Sequence, residues 1–236
     1  MLAAMQRNRL LLLAAALGIA AVVAVLLIVV GSGGNSKATP TTTAQSTSPT
    51  NSSLFAGIQQ HGDTLGKPGA PVTLTVFEDP QCPFCRDWDV ETLPTVVDRY
   101  VRTGRVKLVY RGIEIIGPNS LAGLRAIYAA GRQNKLWPMV NELYKLQGAE
   151  NSGWITASVV REAASAVGAD GAAILATSNS AGVTAELVTA AKDATADSVN
   201  GTPTFILQRP AGAPQQLTVS ALDPASFTSA LDAALQ

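Results

Sequence analysis

The chain has 236 residues, 47% of them apolar, with 17 Lys and Arg balanced by 17 Asp and Glu. That is a globular composition with an apolar surplus, and a neutral balance offers no basic footprint for nucleic acid. Two cysteines and one histidine are too few for a closed four-ligand zinc site.

Part of the apolar surplus is one stretch. Leu10 to Val30 carries no charge and follows Arg7 and Arg9. A run of that length crosses a hydrocarbon core and exceeds the apolar region of a cleaved signal peptide. The expectation is a cytoplasmic residue 1–9 segment, a transmembrane anchor over 10–30 and everything beyond it outside the cell membrane, since the arginines stay inside. Residues 31–53 are mostly Gly, Ser, Thr, Pro, Asn and Ala, which cannot bury enough surface to offset ordering entropy. They read as a flexible tether to a domain over 54–236. The basic residues before that domain are Arg7, Arg9 and Lys37, so 14 of the 17 remain against 17 acids, a net charge of −3.

Leu54 to Gln60 reads as a short helix or ordered lead-in, followed by turns to Gly69 with Leu65 in a short edge strand. His61 has no sequence neighbour to pair with and is assigned to surface or packing. Val72, Leu74 and Val76 alternate with Thr73 and Thr75, predicting a strand over 72–77.

Cys82-Pro83-Phe84-Cys85 follows, where that strand hands over to a segment of helical periodicity. Unpaired N–H groups and the helix dipole favour an anion there, so Cys82 is the candidate thiolate. Pro83 suits a first helical turn, leaving the Phe84 and Cys85 amides to face the sulfur. Cys85, one turn on, can close a small disulfide and expel a mixed-disulfide partner. A structural bridge is the weaker reading, because so short a loop constrains the unfolded chain least.

Leu93, Val96, Val97, Tyr100 and Val101 form one helical face, with a kink expected at Pro94. Thr103-Gly104 ends it, and Val106, Leu108 and Tyr110 alternate in a second strand, parallel to the first. For about ninety residues only helical faces follow, on 121–128, 136–144, 159–167 and 183–191, which marks a helical insertion over about 117–199. Its aromatic residues Trp137, Tyr144 and Trp154 are assigned to core packing rather than to a substrate surface. Gly201-Thr202-Pro203 opens a strand, and the proline, unable to donate to the ladder, sits at an edge or at the first residue and is a candidate for a cis bond. A turn at 212–214, a short strand over Leu217 to Val219, and a last helix capped by Asp223-Pro224 complete the chain.

With these elements placed, the chain resembles the DsbA-like branch of the thioredoxin superfamily, most closely its membrane-tethered Gram-positive and actinobacterial members. Cys82, Pro83 and Cys85, the distant Gly201-Thr202-Pro203, and Phe77, Asp79 and Gln81 before the pair carry the likeness. The resemblance implies an α/β thioredoxin fold: a central mixed sheet flanked by helices, with an inserted helical subdomain. It implies Cys82 as nucleophile, Cys85 as buried resolving thiol, and Pro203 as a cis-proline against the pair, with Pro83 and Phe84 shaping the site. The backbone of Thr202 would pair with an extended substrate. No cofactor beyond the Cys82/Cys85 disulfide and no metal is implied.

Two positions depart from the family pattern. Relatives carry a buried carboxylate six residues before the first cysteine, and Val76 stands there. Glu78 and Asp79 are alternative proton relays, although both read as solvated acids beyond the strand end. Phe84 replaces the histidine of the strongest oxidants, which implies a milder oxidant. The expected function is a membrane-anchored extracytoplasmic thiol-disulfide oxidoreductase acting on exported protein thiols and reoxidised by a quinone-linked membrane oxidase. A reductase or isomerase, or a non-catalytic thioredoxin-fold binding module, are the alternatives.

Overall fold

The computed structural model describes residues 54–236. The 10–30 segment read as an anchor and the 31–53 segment read as a tether lie outside the described residues. Among the described residues, no helix is long and apolar enough to cross a membrane.

Six strands form one mixed sheet in the order β1-β2-β4-β3-β5-β6: β1 (Gln60–His61), β2 (Thr64–Leu65), β3 (Val72–Glu78), β4 (Val106–Gly112), β5 (Thr204–Gln208) and β6 (Gln215–Gln216). β3 pairs in parallel with β4 and antiparallel with β5, so the strand that leads to the cysteines has a strand on either side. Its alternating Val72, Leu74 and Val76 are all buried, and Val76 faces Tyr110 on β4 and Phe205 on β5.

The helix after the cysteines, α1, covers residues 83–101 in four segments: α-helical Pro83–Asp87, π-helical Trp88–Thr92, α-helical Leu93–Val96 and π-helical Val97–Val101. The kink expected at Pro94 takes this form. Proline has no N–H to give to the preceding turn, and the turn before it widens so that Leu93 N–H reaches Trp88 O. The buried face of α1 carries Trp88, whose ring centroid lies 5.1 Å from Phe205 and 5.9 Å from Phe227. Phe227 belongs to the last helix, α7 (Pro224–Ala234), capped as expected by the Asp223 carboxylate on the Ala225 and Ser226 amides.

Five helices stand between β4 and β5: α2 (Ser120–Gly131), α3 (Leu136–Lys145), α4 (Ala157–Ala166), α5 (Gly171–Thr177) and α6 (Ala181–Ala196). Trp137 and Tyr144 are buried in the core and Trp154 packs against its edge, as their assignment to packing requires. Helix α5 was not foreseen, because seven residues are too few to display a helical period; the Asp170 carboxylate caps it on the Ala172 and Ala173 amides.

Three further expectations are corrected. Of the two readings of the segment before the sheet, the short helix is not found among the described residues and the ordered lead-in is: residues 54–57 are a turn, and Arg102 donates to Leu54 O and Ala56 O at 2.8 Å each. Leu65 is not on an edge strand, since β1 lies outside β2. The last strand covers 215–216 rather than 217–219; Leu217 adds one more bond to Phe205 O, after which the chain leaves the ladder.

Candidate active site

Cys82 is the N-cap of α1 and Pro83 its first residue, as the sequence indicates. The backbone of Cys82 is extended, so its sulfur turns back over the helix start, 3.4 Å from the Cys85 amide nitrogen. From the far side of the fold Thr202, whose bond to Pro203 is cis, brings its carbonyl oxygen to 3.3 Å from the same sulfur. Both cysteines are free thiols, and Cys82 is only 3% exposed and Cys85 fully buried.

The two thiols are driven apart electrostatically. The Cys85 thiol beside it, the Thr202 side chain and the Cys85 and Phe84 amides outweigh burial and bring Cys82 down to about 6. Helix-start amides therefore contribute, but the neighbouring thiol contributes more. Burial, the Cys82 thiol and the nearby Glu78 push Cys85 well above the ordinary thiol range. At neutral pH one sulfur is a thiolate and the other retains its proton.

Phe84 projects from this surface, 62% exposed. It borders a groove of about 260 Å³ with Thr202, Pro203, Phe205, Leu217 and Leu222. A larger cavity of about 480 Å³ lies among Gly57, Lys67 and Arg102 and contains none of these residues. His61 is exposed on β1 and takes no part.

The reading of Glu78 and Asp79 as solvated acids is wrong: both are fully buried. Pairing with Gly112 of β4 carries β3 one residue further than alternation suggested, so Glu78 is its last residue. Two positions after Val76, Glu78 projects from the same face of the sheet. Burial first, then the charges of Asp89 and Cys82, raise its carboxyl well above the usual range, outweighing a long contact with the Tyr144 hydroxyl at 3.5 Å.

Asp79 has a different use. Its carboxylate accepts from the amides of Gln81 (2.8 Å), Ile115 (2.7 Å) and Ile116 (2.8 Å) and from the Ser120 hydroxyl (2.6 Å). With its acceptor capacity filled by four donors, it organises the loop rather than relaying protons. Gln81 extends the same network, donating to Ser120 Oγ at 2.9 Å and accepting from the Asn151 amide at 2.7 Å. From α3 and the residues just after it, Tyr144 donates to Asp79 O, and Gln147 to Pro80 O and Cys82 O. The insertion thus holds the loop that carries Cys82.

Sequence reasoning missed Asp89. It lies seven residues after Cys82 on α1, is fully buried, and receives Asn141 Nδ2 of α3. Burial lifts it to about 7, against the opposing pull of Asn141 and Lys145. A charged residue soon after a helix start reads as surface, and only the packing of α3 reveals otherwise.

A sequence profile described as Thioredoxin matches residues 59–224. The chain belongs to the thioredoxin family. Over 105 residues it is 37% identical to a probable disulfide bond formation protein D of Bacillus cereus, covering 42% of this chain and 49% of that protein. It is also 35% identical over 79 residues to the thiol:disulfide interchange protein DsbG of Escherichia coli, covering 34% of this chain and 30% of that one. The matches thus span half or less of these curated relatives. Among solved structures, BdbD of Bacillus subtilis superposes with a TM-score of 0.63 at 17% identity, covering 75% of this chain and 97% of that one. A thioredoxin-like oxidoreductase from Silicibacter pomeroyi superposes with a TM-score of 0.55 at 28% identity, covering 78% and 96%. These superpositions agree with a thioredoxin fold carrying a helical insertion.

Proposed function

We propose that this thioredoxin-family chain is a DsbA-like thiol-disulfide oxidoreductase that donates its Cys82–Cys85 disulfide to the thiols of exported proteins. The observation that carries the reading is the unequal pair: Cys82 lowered to about 6 at a helix start, over a buried Cys85 whose thiol is pushed up. A structural bridge has no use for that difference. Relatives in Bacillus, named as probable disulfide bond formation proteins, support the same chemistry.

In the oxidising direction, a substrate thiolate attacks Cys82 Sγ. The new bond joins substrate sulfur to Cys82, the Cys82–Cys85 bond breaks, and its electron pair passes to Cys85 Sγ. That leaving sulfur takes a proton, for which the buried Glu78 carboxyl is the candidate donor. A second substrate thiolate then attacks the substrate sulfur of the mixed disulfide, forming the substrate disulfide and releasing Cys82 as thiolate. The low proton affinity of Cys82 makes it the better leaving group in this second step. Phe84, Thr202 and Pro203 border the groove in which an extended substrate segment would lie against the Thr202 backbone.

The uncharged Leu10–Val30 run behind Arg7 and Arg9 supports a single-pass anchor with the catalytic domain outside. An enzyme so placed needs a membrane oxidant, and a quinone-linked thiol oxidase fits that need. The experiment is a trap: Cys85→Ala expressed in cells should accumulate mixed disulfides on Cys82 with exported proteins, at the membrane. If the trapped species were absent, or only cytoplasmic proteins were captured, the proposal would fail. Equilibration with glutathione gives the direction, a potential below about −250 mV favouring a reductase.

A further inference from the structure

We propose that the end of the domain at which Leu54 enters carries a basic face, formed by Lys67, Arg99, Arg102, Arg105 and Lys107, that docks on an anionic lipid surface. The side chains are contiguous. Arg102 donates to Leu54 O and Ala56 O at 2.8 Å each, and Gly104 lies so close to Lys67 that a Cβ there would meet Lys67 Cδ at 2.8 Å. Lys107 Nζ donates to Pro68 O at 3.1 Å, and the Arg99 and Arg105 guanidinium groups lie 5.5 and 5.2 Å from the Tyr100 ring centroid. One patch therefore runs from the first described residues to the end of α1.

Its charge is not spent internally. Asp98 pairs with Arg102, and Asp232 of α7 is shared by Arg99 and Arg105, whose side chains stay about half exposed. Among the described residues no carboxylate pairs with Lys67 or Lys107. Arg102 uses three of its five N–H groups, on Leu54 O, Ala56 O and Asp98. Between it and Lys67 opens the cavity of about 480 Å³, with no acid on its wall. Five cations and two acids at this face leave 9 of the domain's 14 basic residues against 15 of its 17 acids elsewhere. The face is positive, and the rest of the domain is negative.

The position of the face favours lipid as its partner. The 31–53 tether enters the domain at Leu54, and the uncharged Leu10–Val30 run precedes that tether in the same chain. Anionic headgroups hold such clusters because each cation near the surface strengthens binding about fivefold. β3 and β4 run in parallel, so Val72 and Val106 start at this end, while Glu78 and Gly112 finish at the other, just before Cys82. Seven strand residues set about 20 Å between the two ends. A domain docked by this face turns Cys82 away from the lipid. The charge segregation is independent of the proposed redox activity, whereas a lipid surface within reach rests on the proposed anchor.

The test uses the full chain in bilayer discs of phosphatidylcholine alone and of phosphatidylcholine mixed with phosphatidylglycerol. Amines are acetylated briefly, and mass spectrometry reads the label at Lys67 and at Lys192, which neighbours the Asp193 paired with Arg111 toward the far end of β4. Lys67 labelling should fall at least about fivefold on the anionic discs with Lys192 unchanged, and should recover in about 1 M salt, where screening shortens to about 3 Å. R99Q/R105Q should restore the labelling and R99K/R105K should not, which separates lost charge from a disturbed fold. Equal Lys67 labelling on the two discs, matching protection of Lys192, or the same protection by inorganic phosphate over neutral discs would overturn the docking face. Copurification with neutral discs reads the anchor separately. A chain that does not copurify removes the anchor, and the same labelling with added phosphatidylglycerol vesicles still decides the docking.

Discussion

Cys82 and Thr202 are 120 positions apart in the chain, yet the Thr202 carbonyl oxygen lies 3.3 Å from the Cys82 sulfur. The contact closes the site between the start of α1 and the loop before β5. It is made possible by β3 and β5 lying side by side, with Phe77 opposite Thr204.

The first consequence is a titration. Thiolate absorbance of the reduced protein should rise with a midpoint at about 6 and vanish in Cys82→Ser. A thiol lowered in the folded state adds stability above its ordinary range, and that stability is lost as pH falls through about 6. The disulfide form has neither thiol, so the stability of the reduced form relative to the oxidised one should grow from pH 6 to about 8, above which the raised Cys85 thiol begins to oppose the gain. The slope is at most ~1.4 kcal/mol per pH unit, less where solvent screens the sulfur. Urea unfolding of both forms across that range checks it.

Phe84 is exposed, so its replacement should leave the fold intact. Phe84→His puts a cation beside the Cys82 thiolate and should lower its midpoint by about one unit. Stabilising the reduced state by that much makes the couple about 30 mV more oxidising. Glutathione equilibration of the two proteins measures the difference.

Burial of Glu78 and Asp89 has the opposite sign. Acids raised on folding bind more protons in the native state than in the unfolded one, so stability falls as pH rises from the ordinary carboxyl range toward about 7. Each coupled acid contributes up to ~1.4 kcal/mol per pH unit there. Glu78→Gln should therefore flatten the pH dependence and be more stable than wild type at pH 8, by urea unfolding. Equal stability of the two at pH 8 would argue against a buried acid at 78.

Asp79 differs in its bonding, because four donors depend on its side chain. Asp79→Ala leaves three amides and the Ser120 hydroxyl without their acceptor. With ~1 to 3 kcal/mol for each buried donor and partial rescue by water, a loss on the order of 3 kcal/mol is expected. Denaturant midpoints measure it, and a loss under about 1 kcal/mol would contradict the loop-organising role.

Much of this was legible in sequence because it is local. Cys82-Pro83-Phe84-Cys85 at a strand-to-helix junction, the alternation of Val72 to Val76, and the Asp223-Pro224 cap each depend on neighbours within a few residues. What was not legible depends on distant packing. Glu78 and Asp79 looked solvated because their burial comes from Gly112, Ser120 and Tyr144, at least 34 positions away. Asp89 was missed for the same reason, its partner Asn141 being 52 positions on. The family position at Val76 directed attention to an absent carboxylate, while the same sheet face carried one two residues later.

The central claim is that Cys82 and Cys85 exchange a disulfide with substrate thiols, Cys82 attacking and attacked. The most direct measurement is oxidation of a reduced dithiol peptide by the purified, pre-oxidised protein, beside Cys82→Ser and Cys85→Ala. Wild type should transfer one disulfide per chain, Cys82→Ser none, and reduced Cys85→Ala, offered the peptide disulfide, should stall as a mixed disulfide on Cys82. Oxidation by Cys82→Ser at the wild-type rate would contradict the account.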